Sequence, residues 1–440
     1  MSAIEQGDAD DPIVIVGMAV EAPGGIDTLL AFWDVIAEAR EMITPLPRDR
    51  GWPITELLAV TTRDGTTTVP DAGGFLTGAA EFDPGFFGIS PREAIAMDPQ
   101  QRVGLRVAWK ALENAGVDPA SVDGDLAGCY LGASINEYGP RADEVNDYSG
   151  HRVTGTALGA VSGRISHCLG LVGPAMTVDT ACASALSALH LATNAVRDGE
   201  CDWALAGGVC VMGSPAAFFE FAINNGLSVD GHCRSYSEGA SGTLWGEGAG
   251  VVVVERLSRA QRLGHRVYAQ VLGTRVNHNG RSGALVVPSA DAQQQLIEAT
   301  LAAAKIDACE IGMVEGHGTA TPIGDKLELT ALANTYGKRG SPVVGSLKTN
   351  FGHAQAASGA LGLIKTLLCG AAGSTAPTLF SDSPTGAIDW DTTGLRLATK
   401  VEPWRPTSGM RYGAVSSFGV AGSNAHAVLA MPALQEPVHA

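Results

Sequence analysis

The sequence TVDTACASAL, residues 177–186, joins an extended segment to a helical one at a single cysteine. Residues 175–178 are β-prone, and the pattern that follows predicts a helix from Ala183 to Arg197. Cys182 therefore lies where the free N–H groups of a helix stabilise a thiolate. We expect this position to lower the pKa of Cys182 from about 8.5 toward neutrality, as suits a nucleophile. The pattern alone also fits an inert buried cysteine, which is the more common case.

The composition of the 440 residues indicates a globular chain with a large core, since 45% of them are apolar. The formal net charge of −17 makes nucleic acid and anionic membrane surfaces unexpected partners. The acidic N-terminus lacks the features of a signal peptide, and no apolar run approaches the roughly 20 residues of a membrane span. The eight cysteines include no CxxC pair and no cluster at zinc-ligand spacing, so we expect reduced thiols, no metal site and a cytoplasmic location.

Strands and helices alternate along the chain, which predicts a layered α/β architecture. Residues 44–77 predict a long excursion over the surface, and Asp98 followed by Pro99 predicts the start of a helix that runs to Gly116. The apolar runs predict buried strands at residues 13–16, 128–131, 204–212, 251–255, 267–276, 312–315, 343–347 and 427–430. Further helices are predicted at residues 28–39, 292–305 and 358–368.

Three more glycine-rich segments contain residues capable of chemistry. They are EGHGTATPIGDKLE (315–328), SLKTNFGHAQAASGA (346–360) and AVSSFGVAGSNAH (414–426). Taken singly, His317 is about as well explained as a packed core histidine. Together with Cys182, the segments supply two histidines and a lysine, which is a set suited to thiolate attack and to stabilising an enolate and an oxyanion.

Other residues in these and neighbouring segments have plainer interpretations. His426 is expected to be a structural hydrogen-bonding group, and His278, His167 and His190 are expected to be packing or surface residues. The sequence GEGAG at 246–250 precedes a strand and lacks the glycine spacing of a nucleotide-binding loop, so we reject a nucleotide site there.

Four segments strongly resemble the signature sequences of β-ketoacyl synthases, the condensing enzymes of fatty-acid and polyketide assembly. They are TACASAL (180–186), GHGTATPIGD (316–325), KTNFGHAQAASG (348–359) and SSFGVAGSNAH (416–426). FDPGFFGISPREAIAMDPQQR (82–102), LAGGVCVM (205–212) and DGHCRSYSEGASGTLWGEGAGV (230–251) are similar to the ketosynthases of bacterial type I polyketide synthases, as is RDRGW (48–52). The resemblance covers nearly the whole chain.

The resemblance implies a thiolase-like α/β fold, in which two similar βα halves form five layers in the order α-β-α-β-α. We expect an N-terminal half at residues 11–258 with the nucleophile and a C-terminal half at residues 259–432 with both histidines. Residues 1–10 are expected to be a disordered tail, residues 433–440 a second tail, and the protein a homodimer.

The resemblance also implies a role for each matching residue. Cys182 would accept an acyl chain, and His317 and His353 would assist decarboxylation and stabilise the enolate. Lys348 would pair with Glu328 to hold the electrostatics of the site. Asp325 and Glu328 would have supporting roles, although ordinary surface charges are the alternative. The backbone N–H groups of Cys182 and Phe418 would form the oxyanion hole, with Phe418 and Gly419 in a gate over the nucleophile.

The implied reaction is a decarboxylative Claisen condensation between a Cys-bound acyl chain and a malonyl-type extender on an acyl carrier protein. It would serve polyketide or mixed polyketide and nonribosomal peptide biosynthesis, with a peptidyl carrier protein as a further partner. No bound cofactor is expected, because phosphopantetheine of the carrier proteins holds the substrates. The alternative is a non-elongating partner subunit that binds carrier proteins, but such subunits commonly lack the cysteine or a histidine. A thiolase or starter-type synthase is disfavoured, because those enzymes resemble Cys-His-Cys or Cys-His-Asn sets and His353 fits neither of them.

Two segments depart from the family pattern. GMAVEAPG (17–24) replaces the usual GMACRFPG, and NHNGRSGALVVP (277–288) places Val286 where a threonine is expected. The first, with MVEGHGTATPIGD, is similar to the freestanding ketosynthases of mycobactin-type siderophore pathways. That likeness implies a freestanding enzyme with a peptidyl-type acyl donor.

Carrier proteins are generally acidic, so docking to this acidic chain needs a local basic face. ERLSRAQRLGHR (255–266) supplies Arg256, Arg259, Arg262 and Arg266, the last three at the spacing of one helical face. A solvated helix face is the plainer alternative.

Overall fold

The computed structural model describes residues 11–62, 65, 68–140 and 143–433. The tail predicted at residues 1–10 lies outside the described residues, as does the tail predicted at 433–440 apart from Ala433. The strands are β1 (Ile13–Glu21), β2 (Ala127–Gly132), β3 (Ala175–Val178), β4 (Trp203–Cys210), β5 (Gly248–Arg256), β6 (Ala269–His278), β7 (Ile311–Glu315), β8 (Val343–Gly345), β9 (Ser374–Thr375), β10 (Arg396–Leu397), β11 (Glu402–Pro403), β12 (Met410–Phe418) and β13 (Ser423–Pro432).

The helices cover the strands and connect them. They are α1 (Leu29–Ala37), α2 (Ile54–Leu58), α3 (Pro91–Ala96), α4 (Pro99–Asn114), α5 (Arg152–Thr156), α6 (Ala160–Leu169), α7 (Ser184–Asp198), α8 (Ala216–Ile223), α9 (Leu257–Leu263), α10 (Ala290–Ala304), α11 (Pro322–Leu332), α12 (Lys348–Phe351) and α13 (Ser358–Ala372). Asp98 caps α4 as predicted, because its carboxylate accepts a hydrogen bond from the backbone N–H of Gln100.

Eleven of the strands form one mixed sheet in two parts. The first part has the order β3-β2-β4-β5-β1, and the second has the order β6-β13-β12-β7-β8-β10. A short antiparallel pairing of Val14 with Gln270 and of Ile15 with Ala269 joins them. The carboxyl ends of the parallel strands β2 and β3 lie beside the nucleophile segment.

Helices α7 and α13 lie between the two parts of the sheet, because each contacts strands of both. Helix α13 is buried from Ser358 to Gly370, as expected of a helix that is enclosed on all sides. Helices α4 and α6 cover the outer face of the first part, and α10 covers that of the second and packs against α11. The resulting order of layers is α-β-α-β-α, which confirms the thiolase-like fold.

The segment at residues 44–77 is less superficial than predicted. Leu46, Trp52, Leu57 and Phe75 lie in the main hydrophobic core, and Arg50 forms an ion pair with the buried Glu247. The long excursion is therefore attached to the sheet at several points. None of the helices in the described ranges is both long enough and apolar enough to cross a membrane.

Candidate active site

The nucleophile segment makes a tight turn between β3 and α7. Ala181 adopts a left-handed conformation with a φ of 53°, and Cys182 follows at the start of the helix. The carbonyl oxygen of Cys182 accepts hydrogen bonds from Ser417 Oγ at 2.6 Å and from Ser358 Oγ at 3.4 Å. Because the second part of the sheet and α13 both hold this carbonyl, the cysteine has a fixed orientation.

The prediction of a lowered thiol pKa is wrong in direction. Burial raises the pKa of Cys182 to about 11, because the thiolate loses the solvation of water. Lys348 and the backbone N–H groups of Val420 and Cys182 oppose this effect by favouring the thiolate. The thiol therefore rests protonated, and the position at the helix start is not sufficient to overcome burial.

His317 lies in the loop between β7 and α11. Gly316 precedes it at a point where an added Cβ would lie 2.0 Å from the Tyr236 hydroxyl oxygen, so only glycine fits. The Glu328 carboxylate accepts hydrogen bonds from the backbone N–H groups of His317 at 2.6 Å and Gly318 at 2.8 Å, and from the Tyr236 hydroxyl at 2.9 Å. This carboxylate fixes the start of the loop.

Asp325 holds the other end of the same loop. Its carboxylate accepts hydrogen bonds from the backbone N–H groups of Tyr236 at 2.7 Å and Ala320 at 3.0 Å. Asp325 and Glu328 are 2% and 3% exposed, so the alternative of ordinary surface charges is wrong for both. Burial raises the pKa of Asp325 to about 8.

His353 lies after α12, with its ring against that of Trp245. The backbone N–H of Gln355 donates to His353 Nδ1 at 3.0 Å, so a neutral ring carries its proton on Nε2. The Nε2 atom is buried and has no hydrogen-bond partner among the described residues. His353 therefore presents a free N–H donor.

The two imidazole rings meet at the nucleophile. The Cys182 sulfur and one nitrogen from each of His317 and His353 lie within 4.8 Å of one another. The two imidazoles are edge to face with centroids 5.3 Å apart, and the Phe418 ring lies 5.4 Å from that of His317. Burial lowers the pKa of both histidines well below 6.5, and the charge of Lys348 lowers it further, so both are neutral.

A cysteine and two histidines this close are also a possible ligand set for a zinc ion. Two features of the site disfavour that function. The tautomer of His353 places a proton on the nitrogen that would have to bind the metal, and Lys348 brings positive charge to both rings. The set is better suited to donating hydrogen bonds than to binding a cation.

Lys348 and Glu328 each favour the charged form of the other, but their predicted pairing is not a direct ion pair. No ion pair within 4.0 Å joins them, although both belong to the described residues, because the Glu328 oxygens are taken by backbone N–H groups and Tyr236. Burial lowers the pKa of Lys348, and Glu315 opposes this more than Glu328 does. Glu315 itself lies 2.7 Å from Lys365 of α13, a buried pair that sequence reasoning missed.

Residues 419–422 form a loop beside Cys182. An added Cβ on Gly419 would lie 2.4 Å from the carbonyl oxygen of Thr180, so the loop packs directly on the nucleophile turn. His278, which we expected to be a packing or surface residue, donates from Nε2 to the Ala421 carbonyl at 2.9 Å and accepts from the Gly280 N–H at Nδ1. His278 thus holds the loop in place, and only its position within the sequence NHNG (277–280) could have suggested this.

The other histidine predictions can be compared with the structure as well. His426 is confirmed as a structural hydrogen-bonding group, because it bonds the Tyr336 hydroxyl at 2.7 Å and Ser416 Oγ at 2.9 Å. His190 Nδ1 forms a hydrogen bond with Thr274 Oγ1 of β6 at 2.8 Å. Neither residue lines the cavity at Cys182.

A cavity of about 310 Å³ opens beside Cys182. Its walls include Phe221, Trp245, Thr243, Val286, Gln293 and Ile323, together with both histidines and Phe418. The cavity therefore brings Cys182, the two histidines and Phe418 together in one space that is large enough for an acyl chain.

The predicted arginine face is not a single helical face. Helix α9 ends at Leu263 with Gly264 in a left-handed conformation, so Arg266 lies beyond it, with its guanidinium 4.7 Å from the Tyr268 ring. Arg259 pairs with the buried Glu255, and Arg256 donates to the Arg197 carbonyl. Arg262 remains exposed on the helix.

Comparison with known proteins places this chain in a family. The family models described as "Beta-ketoacyl synthase, N-terminal domain" and "Beta-ketoacyl synthase, C-terminal domain" match residues 10–260 and 268–381. Polyketide synthase GfsA of Streptomyces halstedii is 46% identical over 96% of this chain and 6% of its own length. Erythronolide synthase EryA3 of Saccharopolyspora erythraea is 46% identical over 98% of this chain and 13% of its own length.

Solved structures agree with these matches. The oxazolomycin ketosynthase domain OzmH KS7 from Streptomyces albus JA3453 has a TM-score of 0.89 at 36% identity, over 98% of this chain and 76% of that one. The ketosynthase from module 6 of the bacillaene synthase of Bacillus subtilis 168 has a TM-score of 0.85 at 34% identity, over 96% and 72% of the two chains. The chain spans 6% to 20% of the length of its curated relatives. It belongs to the β-ketoacyl synthase family, among the ketosynthases of type I polyketide synthases.

Proposed function

We propose that this chain catalyses a decarboxylative Claisen condensation between an acyl group on Cys182 and a malonyl-type extender held by an acyl carrier protein. The observation that supports this most directly is the meeting of the Cys182 sulfur with two neutral imidazoles within 4.8 Å. The cavity beside them has room for the acyl chain. Both thioesters would arrive on phosphopantetheine, so the reaction needs no bound cofactor.

In the first half-reaction the Cys182 sulfur attacks the carbonyl carbon of the acyl thioester. A new C–S bond forms, the bond to the carrier sulfur breaks, and the proton of Cys182 leaves with the carrier thiol. The developing oxyanion needs donors, for which we propose the backbone N–H groups of Cys182 and Phe418. Gly419 donates to the Ser423 carbonyl, so the adjacent pair of Phe418 and Asn424 is a non-hydrogen-bonded position of the ladder. The N–H of Phe418 therefore points away from β13.

In the second half-reaction the bond between the extender α-carbon and its carboxylate breaks and CO₂ leaves. The electron pair forms an enolate at the thioester, to which His317 and His353 donate hydrogen bonds. The α-carbon attacks the acyl carbonyl, the bond to Cys182 breaks, and the thiolate takes up one proton from solvent. Loss of CO₂ generates the carbanion, so donors matter more than a strong base, and the neutral rings satisfy that requirement.

The supporting residues have roles that follow from their contacts. We propose that Glu328 and Asp325 fix the two ends of the His317 loop, and that the charge of Lys348 adds to the effect of burial in keeping both imidazoles neutral. The division into functional halves at 11–258 and 259–432 is part of the same proposal. A peptidyl-type donor and a siderophore pathway stay a finer hypothesis, carried by sequence likeness alone.

We also propose a homodimer in which a second copy covers β3. This strand lies at the edge of the sheet and exposes Met176. Its free backbone groups can therefore pair with β3 of a second copy. Light scattering of the purified protein should give twice the mass of the chain, and a monomer at micromolar concentration would contradict the proposal.

Intact-mass spectrometry tests the proposed reaction. The wild type should gain the mass of one acyl group from an acyl thioester, lose it when a malonyl carrier protein is added, and release a β-ketoacyl product. Cys182→Ala should gain no acyl mass at this position. A wild type that binds carrier proteins but never becomes acylated, across several donors, would favour the non-elongating partner subunit instead.

A further inference from the structure

The cavity beside Cys182 concentrates polar atoms that lack partners. Among the described residues, four buried side-chain atoms that make no hydrogen bond belong to residues lining this cavity. Two are His317 Nδ1 and His353 Nε2, which belong to the residues of the proposed reaction. The other two are Thr243 Oγ1 and Gln293 Oε1, and the reaction has no use for them.

Buried threonines elsewhere in the chain have hydrogen-bond partners. A group of them lies in helices and donates the hydroxyl to a backbone carbonyl three or four residues earlier. They are Thr193, Thr300, Thr335, Thr349 and Thr366, with donor–acceptor distances between 2.7 and 3.1 Å. Thr243 is 2% exposed and its hydroxyl has no such partner.

Buried glutamines show the same contrast. Gln100 donates to the Ser134 carbonyl at 3.0 Å, and Gln101 donates to the Gly155 carbonyl at 2.8 Å while accepting from Arg164 at 2.7 Å. Gln293 is 1% exposed, and its side-chain oxygen accepts no hydrogen bond. Because proteins pair nearly all buried polar groups, an exception in a cavity wall indicates a ligand.

The two residues lie on different elements of the cavity wall. The backbone of Thr243 is fixed, since its N–H donates to the Gly226 carbonyl and its carbonyl accepts from Ser228. Two residues later the Trp245 ring contacts Phe221, with centroids 4.5 Å apart, and the ring of His353. Gln293 lies in the first turn of α10, close after Pro288 of the cavity rim. An acyl chain in the cavity would therefore pass an aromatic wall and two polar groups.

We propose that Thr243 and Gln293 form a recognition subsite for a hydrogen-bond donor, a hydroxyl or an amide N–H, on the acyl chain that Cys182 accepts. The Gln293 oxygen needs a donor, and the Thr243 hydroxyl can either accept or donate a hydrogen bond. A plain alkyl chain would leave both unpaired. The proposal rests on the proposed function, because it concerns the acyl group transferred to Cys182.

Matched pairs of acyl N-acetylcysteamine thioesters test the subsite. Hexanoyl is compared with 3-hydroxyhexanoyl, 5-hydroxyhexanoyl and N-acetylglycyl thioesters, and the rate of Cys182 acylation is followed by intact mass. The wild type should favour at least one donor-bearing substrate over hexanoyl by about 5- to 150-fold in kcat/KM, the equivalent of the about 1–3 kcal/mol that an unpaired buried group costs. Whether a hydroxyl or an amide wins identifies the donor.

Variants separate recognition from folding. Thr243→Val, which keeps the side-chain shape, and Gln293→Met should each lower the preference ratio toward one, and Thr243→Ser should restore it. Thr300→Val, in the same helix as Gln293, is the control and should keep the wild-type ratio. Acylation by hexanoyl with no preference among the substrates would overturn the subsite and leave the reaction intact. No acylation by any donor would overturn both.

Discussion

Two buried polar regions of this molecule are built in opposite ways. Glu247 is fully buried, and its carboxylate accepts from the backbone N–H groups of Met212 at 2.7 Å and Leu76 at 2.9 Å and from the Arg50 guanidinium. That guanidinium also lies 5.6 Å from the rings of Trp52 and Phe75. At the cavity, in contrast, His317 and His353 are also buried, but each keeps an unpartnered nitrogen.

In these two regions the paired group serves the fold, whereas the unpaired groups belong to the proposed chemistry. A fully paired carboxylate joins the 44–77 segment to the sheet and has no capacity left for a ligand. An unpaired imidazole costs stability, and the fold tolerates it only where a substrate completes it. Both groups occur in glycine-rich motifs, GEGAG and GHGTA, so the motif alone does not tell them apart.

The largest expected effect is on the free energy of unfolding, from a substitution in the fully paired region around Glu247. Glu247→Gln should lower the free energy of unfolding by about 3–5 kcal/mol, because it leaves Arg50 largely buried without its counter-ion. Urea unfolding followed by circular dichroism measures this. Glu38→Gln removes the exposed pair with Arg40 and should change stability little. Equal effects of the two substitutions would contradict the structural role of Glu247.

The effect of burial at the cavity can be tested through the pKa of the Cys182 thiol. Because burial raises the pKa of Cys182 to about 11, the thiolate fraction should rise about tenfold per pH unit from pH 6 to pH 9. The rate of alkylation by iodoacetamide, measured on the Cys182 peptide by mass spectrometry, should follow that rise. A plateau near pH 7 would mean that the helix start and Lys348 outweigh burial after all.

The gate loop should respond more mildly. His278→Ala removes one hydrogen bond to Ala421 and should reduce kcat for condensation about 2- to 12-fold, as the loss of about 0.5–1.5 kcal/mol implies. His278→Gln keeps a donor and should recover part of the rate, whereas the exposed His167→Ala should have no effect. If His278→Ala left kcat unchanged, the hydrogen bond between His278 and Ala421 would not be needed to hold the loop in place.

The smallest effect concerns backbone strain at the cavity. Ala320 has a φ of 61° in the His317 loop, a conformation that an alanine adopts at a cost. Ala320→Gly should raise the free energy of unfolding by about 0.5–1 kcal/mol, while Ala302→Gly in α10 should lower it by a similar amount. Thermal unfolding of the two variants should therefore shift in opposite directions.

Sequence patterns predicted most of the strands and helices that form the fold. The apolar runs at 13–16, 204–212 and 251–255 are buried strands, and the helix expected at 183–197 begins and ends within one residue of that range. Their periodicity is a local property, so it is visible without the fold. Strand β12 and helix α11 were not predicted, because small and polar residues hide their pattern. The four signature segments singled out Cys182, His317 and His353, and the fold brings these three side chains within 4.8 Å of one another.

Properties that depend on contacts between distant residues could not be predicted from the sequence. The pKa of Cys182 depends on burial by residues more than two hundred positions away, and the Glu328 carboxylate is occupied by Tyr236 rather than by Lys348. The spacing of Arg259, Arg262 and Arg266 predicted one helical face, but the helix ends at Leu263 before it reaches Arg266. Lys365 interrupted an apolar run in the sequence, and the fold pairs it with Glu315.

The most direct test compares His353→Ala with Glu247→Gln in a single turnover. Each protein is first acylated on Cys182, and formation of the β-ketoacyl product from a malonyl carrier protein is then timed alongside urea unfolding. His353→Ala should lower the rate about 10²- to 10³-fold with little loss of stability, because it removes a positioned donor that has no structural partner. Glu247→Gln should lose stability and keep its rate per folded molecule. A wild-type rate in His353→Ala would contradict the assignment of unpaired buried groups to the chemistry.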